Sequence, residues 1–372
     1  MAKRRRILIV SVNWLGDLLF MTPAIRAIRR ANPDAFIACL GPARGLDLLK
    51  GNPHLNEVIP LPEGRGIRHL AGWLPLIWHL RREPFDAAFL FHRSFTRAAA
   101  AWAAGIPERI GYRTAKRGWL LTGGPAIPPK DSLHKIDWFL RVAEAAGIRP
   151  DGRHYDAGLL PEDERAAEGL ALALGLRPGE KVVALHAGAN WLLKRWPARN
   201  FAELADGLAE RHRAKLLFIG GAEDLPLIES IRQRMRSRPL VAAGRTTFRQ
   251  MGALLKRTSL LISNDSGPLH MGMAVGIPVV ALFGPTDPKR TGPVTPPPDS
   301  IQISSEIGSA LKGPAAFCGE SGGGVNGAKA AVLFGSIGCP VPCYRLDCPA
   351  NLCMERITVE QVLTAAERFL HA

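Results

Sequence analysis

The chain has 372 residues, with 48 Lys+Arg against 33 Asp+Glu and a formal net charge of +15. A hydrophobic share of 47% with 22% charged residues excludes a disordered, collagenous or fibrous chain, and the length exceeds one ordinary core, so two domains are expected. The charge is uneven: residues 1–160 carry 24 Lys+Arg and 13 Asp+Glu, residues 161–372 carry 24 and 20. The first half therefore favours an anionic partner, whether nucleic acid, an acidic membrane surface or a phosphorylated or carboxylated substrate.

Lys3-Arg4-Arg5-Arg6 resembles the positive region of an export signal, but the apolar stretch 7–15 runs into Gly16-Asp17 without a small-residue cleavage site. A cytoplasmic location is expected. Residues 7–10 form a continuous apolar run suited to a strand buried on both faces, and 18–30 have a helical pattern with arginines in the last turns, which Pro23 must start or kink. Strand, helix, strand, helix and strand follow at 35–40, 44–50, 57–61, 70–82 and 86–91. The helix at 70–82 carries Trp73, Leu74, Leu76, Ile77, Trp78 and Leu80; it packs in a core or touches a bilayer, aided by Arg65, Arg68, Arg81 and Arg82, although Pro75 weakens the second reading.

A polar stretch at 151–168 reads as an interdomain connection. A second alternating series then runs through strands at 181–187, 215–220, 260–263 and 278–283 and helices at 197–211, 225–235 and 267–275. The uncharged run 266–286 holds His270 and is broken by Pro268, Gly276, Pro278, Gly284 and Pro285, so it reads as helix, turn and strand, not as a membrane span. Alternation at this spacing indicates βαβ units and mainly parallel sheets. The expected domains are 1–157 and 158–357, with a flexible insertion at about 303–338, and a C-terminal helix within 358–372 that packs back on the first domain.

Three loops of the second domain lie between a strand and a helix, where open α/β sheets bind ligands. Asp265, Ser266, Gly267 and His270 open one helix: its free amides and dipole suit a diphosphate, Gly267 allows close approach, and Asp265 caps the helix. The loop 187–197 contains Ala187, Gly188 and Lys194, whose ammonium can face a leaving phosphate. Glu223, in a third loop, can accept from two ribose hydroxyls, or cap a helix. In the first domain Asp17 is a candidate general base, or simply a helix cap. Arg93, Arg97, Arg109, Arg113, Lys116 and Arg117 crowd the end of that domain; arginine forks match carboxylates and phosphates, and Arg93, Arg97, Arg113 and Lys116 are the candidate acceptor clamp. Cys339, Cys343, Cys348 and Cys353 cluster without paired two-residue knuckles, so packed thiols and a structural zinc both remain open.

Taken in order, Asn13-Trp14-Leu15-Gly16-Asp17 with Thr22-Pro23-Ala24, His186-Ala187-Gly188-Ala189 with Lys194-Arg195-Trp196-Pro197, and Asn264-Asp265-Ser266-Gly267-Pro268-Leu269-His270 with Phe283-Gly284-Pro285-Thr286 resemble glycosyltransferase family 9, the lipopolysaccharide heptosyltransferases. The match runs from about 7 to 290 and resumes at Cys339. The resemblance implies a GT-B fold, two facing Rossmann-like domains with the active site between them. It also implies inverting transfer of L-glycero-D-manno-heptose from ADP-heptose to the lipopolysaccharide inner core, without a catalytic metal or other cofactor. In its terms Asp17 is the base, Lys194 contacts the donor phosphates, Glu223 contacts the ribose, and Asp265, Ser266, Gly267 and His270 form the donor-binding helix start. The implied partners are an ADP-sugar and the inner-core acceptor, with peripheral contact at the cytoplasmic face of the inner membrane. The insertion at 303–338 departs from the family pattern. Another nucleotide-sugar or cell-surface glycan acceptor is the alternative within the family. A basic nucleic-acid-binding protein is the alternative outside it, but the sequence lacks an aromatic-basic RNA motif, zinc-finger spacing or a helix-turn-helix signal, and no nucleic-acid partner is expected.

Overall fold

The computed structural model describes residues 4–62, 66–293, 315–318, 329–343, 345 and 348–370. Two compact units divide the chain, Met1–Gly158 and Leu159–Ala372.

In the first unit the elements run β1 (Arg6–Val10), α1 (Leu15–Ala31), β2 (Phe36–Gly41), α2 (Ala43–Lys50), β3 (Glu57–Pro60), α3 (Gly66–Arg82), β4 (Ala87–Leu90), α4 (Phe95–Ala103), β5 (Glu108–Gly111) and α5 (Lys135–Glu144). The sheet is wholly parallel in the order β3-β2-β1-β4-β5. β1 is central, and Ile7, Leu8, Ile9 and Val10 are completely buried, as their unbroken apolar run requires. α1 starts earlier than expected, so Gly16 and Asp17 lie in its first turn, where the carboxylate suits the positive end of the helix. Pro23 sits inside this helix. Lacking an N–H, it leaves the Leu19 carbonyl to the Thr22 hydroxyl, which donates to it at 2.8 Å. In α3, Trp73, Leu76 and Leu80 enter the core, while Leu74 and Trp78 are exposed.

The second unit contains α6 (Pro161–Ala173), β6 (Val182–His186), α7 (Ala198–His212), β7 (Lys215–Phe218), α8 (Leu225–Arg232), β8 (Leu240–Val241), α9 (Phe248–Leu255), β9 (Leu260–Asn264), α10 (Gly267–Ala274), β10 (Val279–Phe283), α11 (Pro288–Thr291), β11 (Ala315–Cys318), β12 (Ala330–Gly335), α12 (Leu352–Glu355) and α13 (Val359–Leu370). Its seven-stranded sheet has the order β11-β12-β10-β9-β6-β7-β8, with only the β11–β12 pairing antiparallel among the described strands.

The polar stretch 151–168 contains the division between the units, as an interdomain connection should. It is also structured: Asp151 and Asp156 pair with the buried Arg26 at 3.1 and 2.9 Å, and α6 opens at Pro161. Asp163 in its first turn meets the buried Arg249 of α9 at 2.9 Å. The expected insertion contains β12, which pairs with β10 along Val279–Phe283; residues 303–314 and 319–328 lie outside the described residues. The C-terminal helix belongs to the core of the second unit, where Val362, Leu363, Ala366 and Leu370 join Phe201, Leu204 and Leu208 of α7. No helix among the described residues is long and apolar enough to cross a membrane.

A Cβ on Gly207 of α7 would lie 3.1 Å from Leu363, so α7 and α13 approach closely there. Leu363→Ala is expected to cost about 2–5 kcal/mol of stability, the range for emptying a buried leucine site. Denaturant unfolding checks it; a loss below about 1 kcal/mol would show that α13 does not carry this core.

Candidate active site

In each sheet two neighbouring strands send their chains onward in opposite directions, and the crevice at their carboxyl ends is the place for a ligand. In the first unit these strands are β1 and β4, in the second β6 and β9.

Asp17 stands in the first turn of α1, partly exposed, with its Oδ1 3.8 Å from Nζ of Lys135, the first residue of α5. The loop before it is fastened from below by Arg97, which donates to the Ser11 carbonyl and, at 2.5 Å, to Oδ1 of Asn13. Arg97 is thus buried and committed to the protein, which corrects its assignment to an acceptor clamp. Burial lowers its pKa to about 10, so it remains charged at neutral pH. Arg117, missing from that clamp, is also buried, donating to the carbonyls of His92 (2.6 Å) and Tyr112 (3.0 Å). Arg109 is spent on the carbonyls of Ile106, Pro107 and Leu120. Arg93, Arg113 and Lys116 remain exposed. His92 receives the Ser94 amide on Nδ1 at 3.0 Å. Its pKa falls to about 4 through burial, then the charges of Arg97, Arg117 and Arg93, so it is neutral near pH 7.

In the second unit Lys194 and Asp265, which are 71 residues apart in sequence, meet at 2.7 Å. The Asp265 carboxylate is buried at the end of β9, and its Oδ2 also accepts from the Thr286 hydroxyl at 2.7 Å. This corrects the expectation that it caps α10: charge-assisted bonds to Lys194 and Thr286 hold it elsewhere. Ser266 occupies the N-cap position without capping, since its Oγ lies 3.0 Å from Nδ1 of His186. The first amides of α10 are thus left without a side-chain cap, at the positive end of a helix that begins with Gly267.

His186 continues the chain of contacts, its Nε2 lying 3.6 Å from Oδ2 of Asp224. Burial raises the Asp224 pKa, but hydrogen bonding and charge from His186, the Gly221 amide and Arg195 outweigh it and hold the carboxyl below its usual value. A Cβ on Gly188 would collide with that carboxylate, which explains glycine there. Glu223 is exposed on the 3-10 turn Ala222–Asp224, with its carboxylate against Gly221. Ala187 is buried, and its carbonyl accepts from Nδ2 of Asn264 at 2.8 Å, while Oδ1 of Asn264 accepts from the Trp196 amide. His186, Asp224, Asn264 and Thr286 were not among the sequence candidates, although His186, Asn264 and Thr286 stood inside the motifs. For His186 and Asn264 the signal was their place at strand ends. The structure joins Lys194, Asp265, Ser266, Gly267 and His270 in one group, with Ala187 and Gly188 beneath it; Asp17, Arg93, Arg113 and Lys116 belong to the first unit.

Cys343, Cys348 and Cys353 are free thiols, partly buried, and Cys339 is an exposed one. Among the described residues no group of three or more His, Cys, Asp or Glu is arranged to hold a metal.

Residues 73–310 match the family described as Glycosyltransferase family 9 (heptosyltransferase). The chain belongs to glycosyltransferase family 9. This family 9 glycosyltransferase is 28% identical over 320 residues to lipopolysaccharide heptosyltransferase 2 of Escherichia coli K12, covering 84% of this chain and 92% of that protein. It is 28% identical to lipooligosaccharide heptosyltransferase 2 of Haemophilus influenzae, covering 82% and 91%. Among solved structures, the family 9 glycosyltransferase from Veillonella parvula superposes with a TM-score of 0.79 at 25% identity, covering 99% and 97%. The ADP-heptose lipopolysaccharide heptosyltransferase II of E. coli superposes with a TM-score of 0.75 at 22% identity, covering 98% of each chain. The GT-B fold expected from the motifs is thereby established, and this family 9 enzyme is a glycosyltransferase.

The neutral, fully buried His270 gives a pH signature. Its Nε2 lies 3.9 Å from Oδ1 of Asp265, and burial lowers its pKa from 6.5 to about 4, with Asp265 opposing and Lys194 assisting. The unfolded chain therefore binds the extra proton between these values, so this contribution to stability is complete above pH 6.5 and is lost as pH falls towards 4. The expected loss is roughly 3 kcal/mol. Unfolding free energies measured across that window should slope less steeply in His270→Gln; equal slopes would remove His270 as the titrating group.

Proposed function

We propose that the enzyme transfers L-glycero-D-manno-heptose from ADP-heptose to the inner core of lipopolysaccharide, with inversion. The observation that carries this reading is the Lys194–Asp265 pair beside the uncapped start of α10. It provides a fixed ammonium next to backbone amides, a combination suited to a nucleoside diphosphate. Relatives named as lipopolysaccharide heptosyltransferases, matched along most of their length, support the sugar and the acceptor.

In this mechanism Asp17 takes the proton of an acceptor hydroxyl as its oxygen attacks the anomeric carbon. The bond between that carbon and the diphosphate oxygen breaks, and the ADP formed leaves with its charge balanced by Lys194 and the amides of α10. Glu223 accepts from the ribose hydroxyls. Ala187, Gly188, Asp265, Ser266, Gly267 and His270 shape the cradle, which needs no metal or other cofactor. Arg93, Arg113 and Lys116, the exposed cations of the first unit, bind the acidic acceptor. The acceptor is lipid-anchored, so the enzyme works peripherally at the cytoplasmic face of the inner membrane.

A thermal-shift titration is expected to respond to ADP in preference to UDP, GDP and CDP. Preference for another nucleotide would change the donor. Asp17→Asn should keep the ADP response and lose about 10²–10⁴-fold in turnover with ADP-heptose. Wild-type turnover in that variant would eliminate Asp17 as the base.

A further inference from the structure

We propose that the first unit docks on an anionic lipid surface through an aromatic ridge on α4 and the neighbouring turn Gly118–Leu120, extended by α3. This deepens the peripheral membrane contact proposed above and rests on it.

Phe95 and Trp102 lie seven residues apart on α4, hence on one face of the helix. Trp119 of the turn bridges them, its ring centroid 6.3 Å from Phe95 and 6.2 Å from Trp102. Leu74 and Trp78 form a corresponding stripe on α3, and Arg81 donates to the Ala103 carbonyl at 2.8 Å, joining the ends of the two helices. These five apolar side chains are 48% to 70% exposed. The exposed large hydrophobics of the second unit, by contrast, are Leu172, Leu192, Leu225 and Leu352, with no aromatic among its described residues. A cluster of water-exposed rings is costly unless something covers it.

The charge around the ridge identifies the cover. Neither α3 nor α4 contains an acidic residue, and none occurs from Tyr112 to Leu121. Arg82 lies 3.5 Å from the centroid of the Trp78 ring, and Arg113 and Lys116 are exposed beside the turn. A surface that is both aromatic and basic suits the boundary of an anionic bilayer, where rings settle at the headgroup level and basic side chains meet phosphates. A second copy of the same face would oppose cation to cation. The rings also pack against one another at 52° and 67°, making a continuous ridge with few separate faces for nucleobases.

Flotation of the full chain with vesicles of phosphatidylethanolamine and phosphatidylglycerol, compared with phosphatidylcholine alone, tests the proposal. Binding to the anionic vesicles is expected, weakened by salt, and lowered at least about tenfold in the combined Trp102→Ser and Trp119→Ser variant. An unchanged melting temperature and ADP response would show that this variant is folded. Equal flotation of variant and wild type would overturn the proposal. So would vesicle-free self-association, or binding of single-stranded DNA, that the same substitutions abolish. Turnover on a soluble acceptor, expected to be unchanged, is measured without vesicles and separates failure of this surface from failure of the transferase reading.

Discussion

The buried carboxylate of Asp265 organises the second unit's cradle. An ionised carboxyl beneath a sheet edge is tolerable only with partners, and here they arrive from two other loops: the Lys194 ammonium after β6 and the Thr286 hydroxyl after β10. One side chain thus fixes the reach of the lysine and draws itself off the helix start. The first amides of α10 are left uncapped because Ser266, at the N-cap position, turns its Oγ to His186. Within the cradle His270 is neutral and Lys194 answers Asp265, so the ammonium does not act as an isolated charge. The cradle's attraction for an anion comes from directed dipoles more than from net charge.

The same topological constraint acts in both units, with different chemistry. In the first unit the chain inserts arginines, and it spends several of them internally. Arg97 holds the loop before Asp17, Arg117 ties the β4 and β5 loops through the His92 and Tyr112 carbonyls, and Arg26 answers Asp151 and Asp156. The positive excess of the first 160 residues is therefore partly scaffold. A guanidinium has five donors in a fixed plane, so one buried arginine can gather several carbonyls that would otherwise lack partners.

Much of this was legible in sequence because buried parallel strands announce themselves as short apolar runs. The strands 7–10, 35–40 and 278–283 lie within a residue or so of β1, β2 and β10. The failures also have physical causes. Residues 151–168 do contain the division between the units, but the helix start within them was missed, although Pro161 at the first turn followed by Glu162, Asp163 and Glu164 signals one. β12 was hidden by the glycine- and alanine-rich composition around it. In the site, strand-to-helix loops revealed Lys194, Asp265 and Ser266 one by one. Their pairing was not legible, because Lys194 with Asp265 and Ser266 with His186 are contacts across adjacent strands. The amphipathic pattern of α13 announced a packed helix, but the choice of α7 as its neighbour is again tertiary.

The two units also balance charge differently. On the surface of the second, Arg199 meets Glu355, Arg211 meets Glu360, Arg236 meets Glu210 and Lys256 meets Glu164. Exposed pairs like these add little stability, but they cancel the far field. In the first unit Arg82, Arg93, Arg113 and Lys116 have no acidic partner among the described residues, so their field extends into solvent, screened only over about 8 Å at physiological salt. A small ligand in the second unit is therefore selected by short-range geometry around Lys194 and α10. A large anionic partner of the first is gathered by long-range attraction before any close contact forms. That division explains why a single basic chain can hold a compact nucleotide by short-range geometry and still carry a strongly positive net charge.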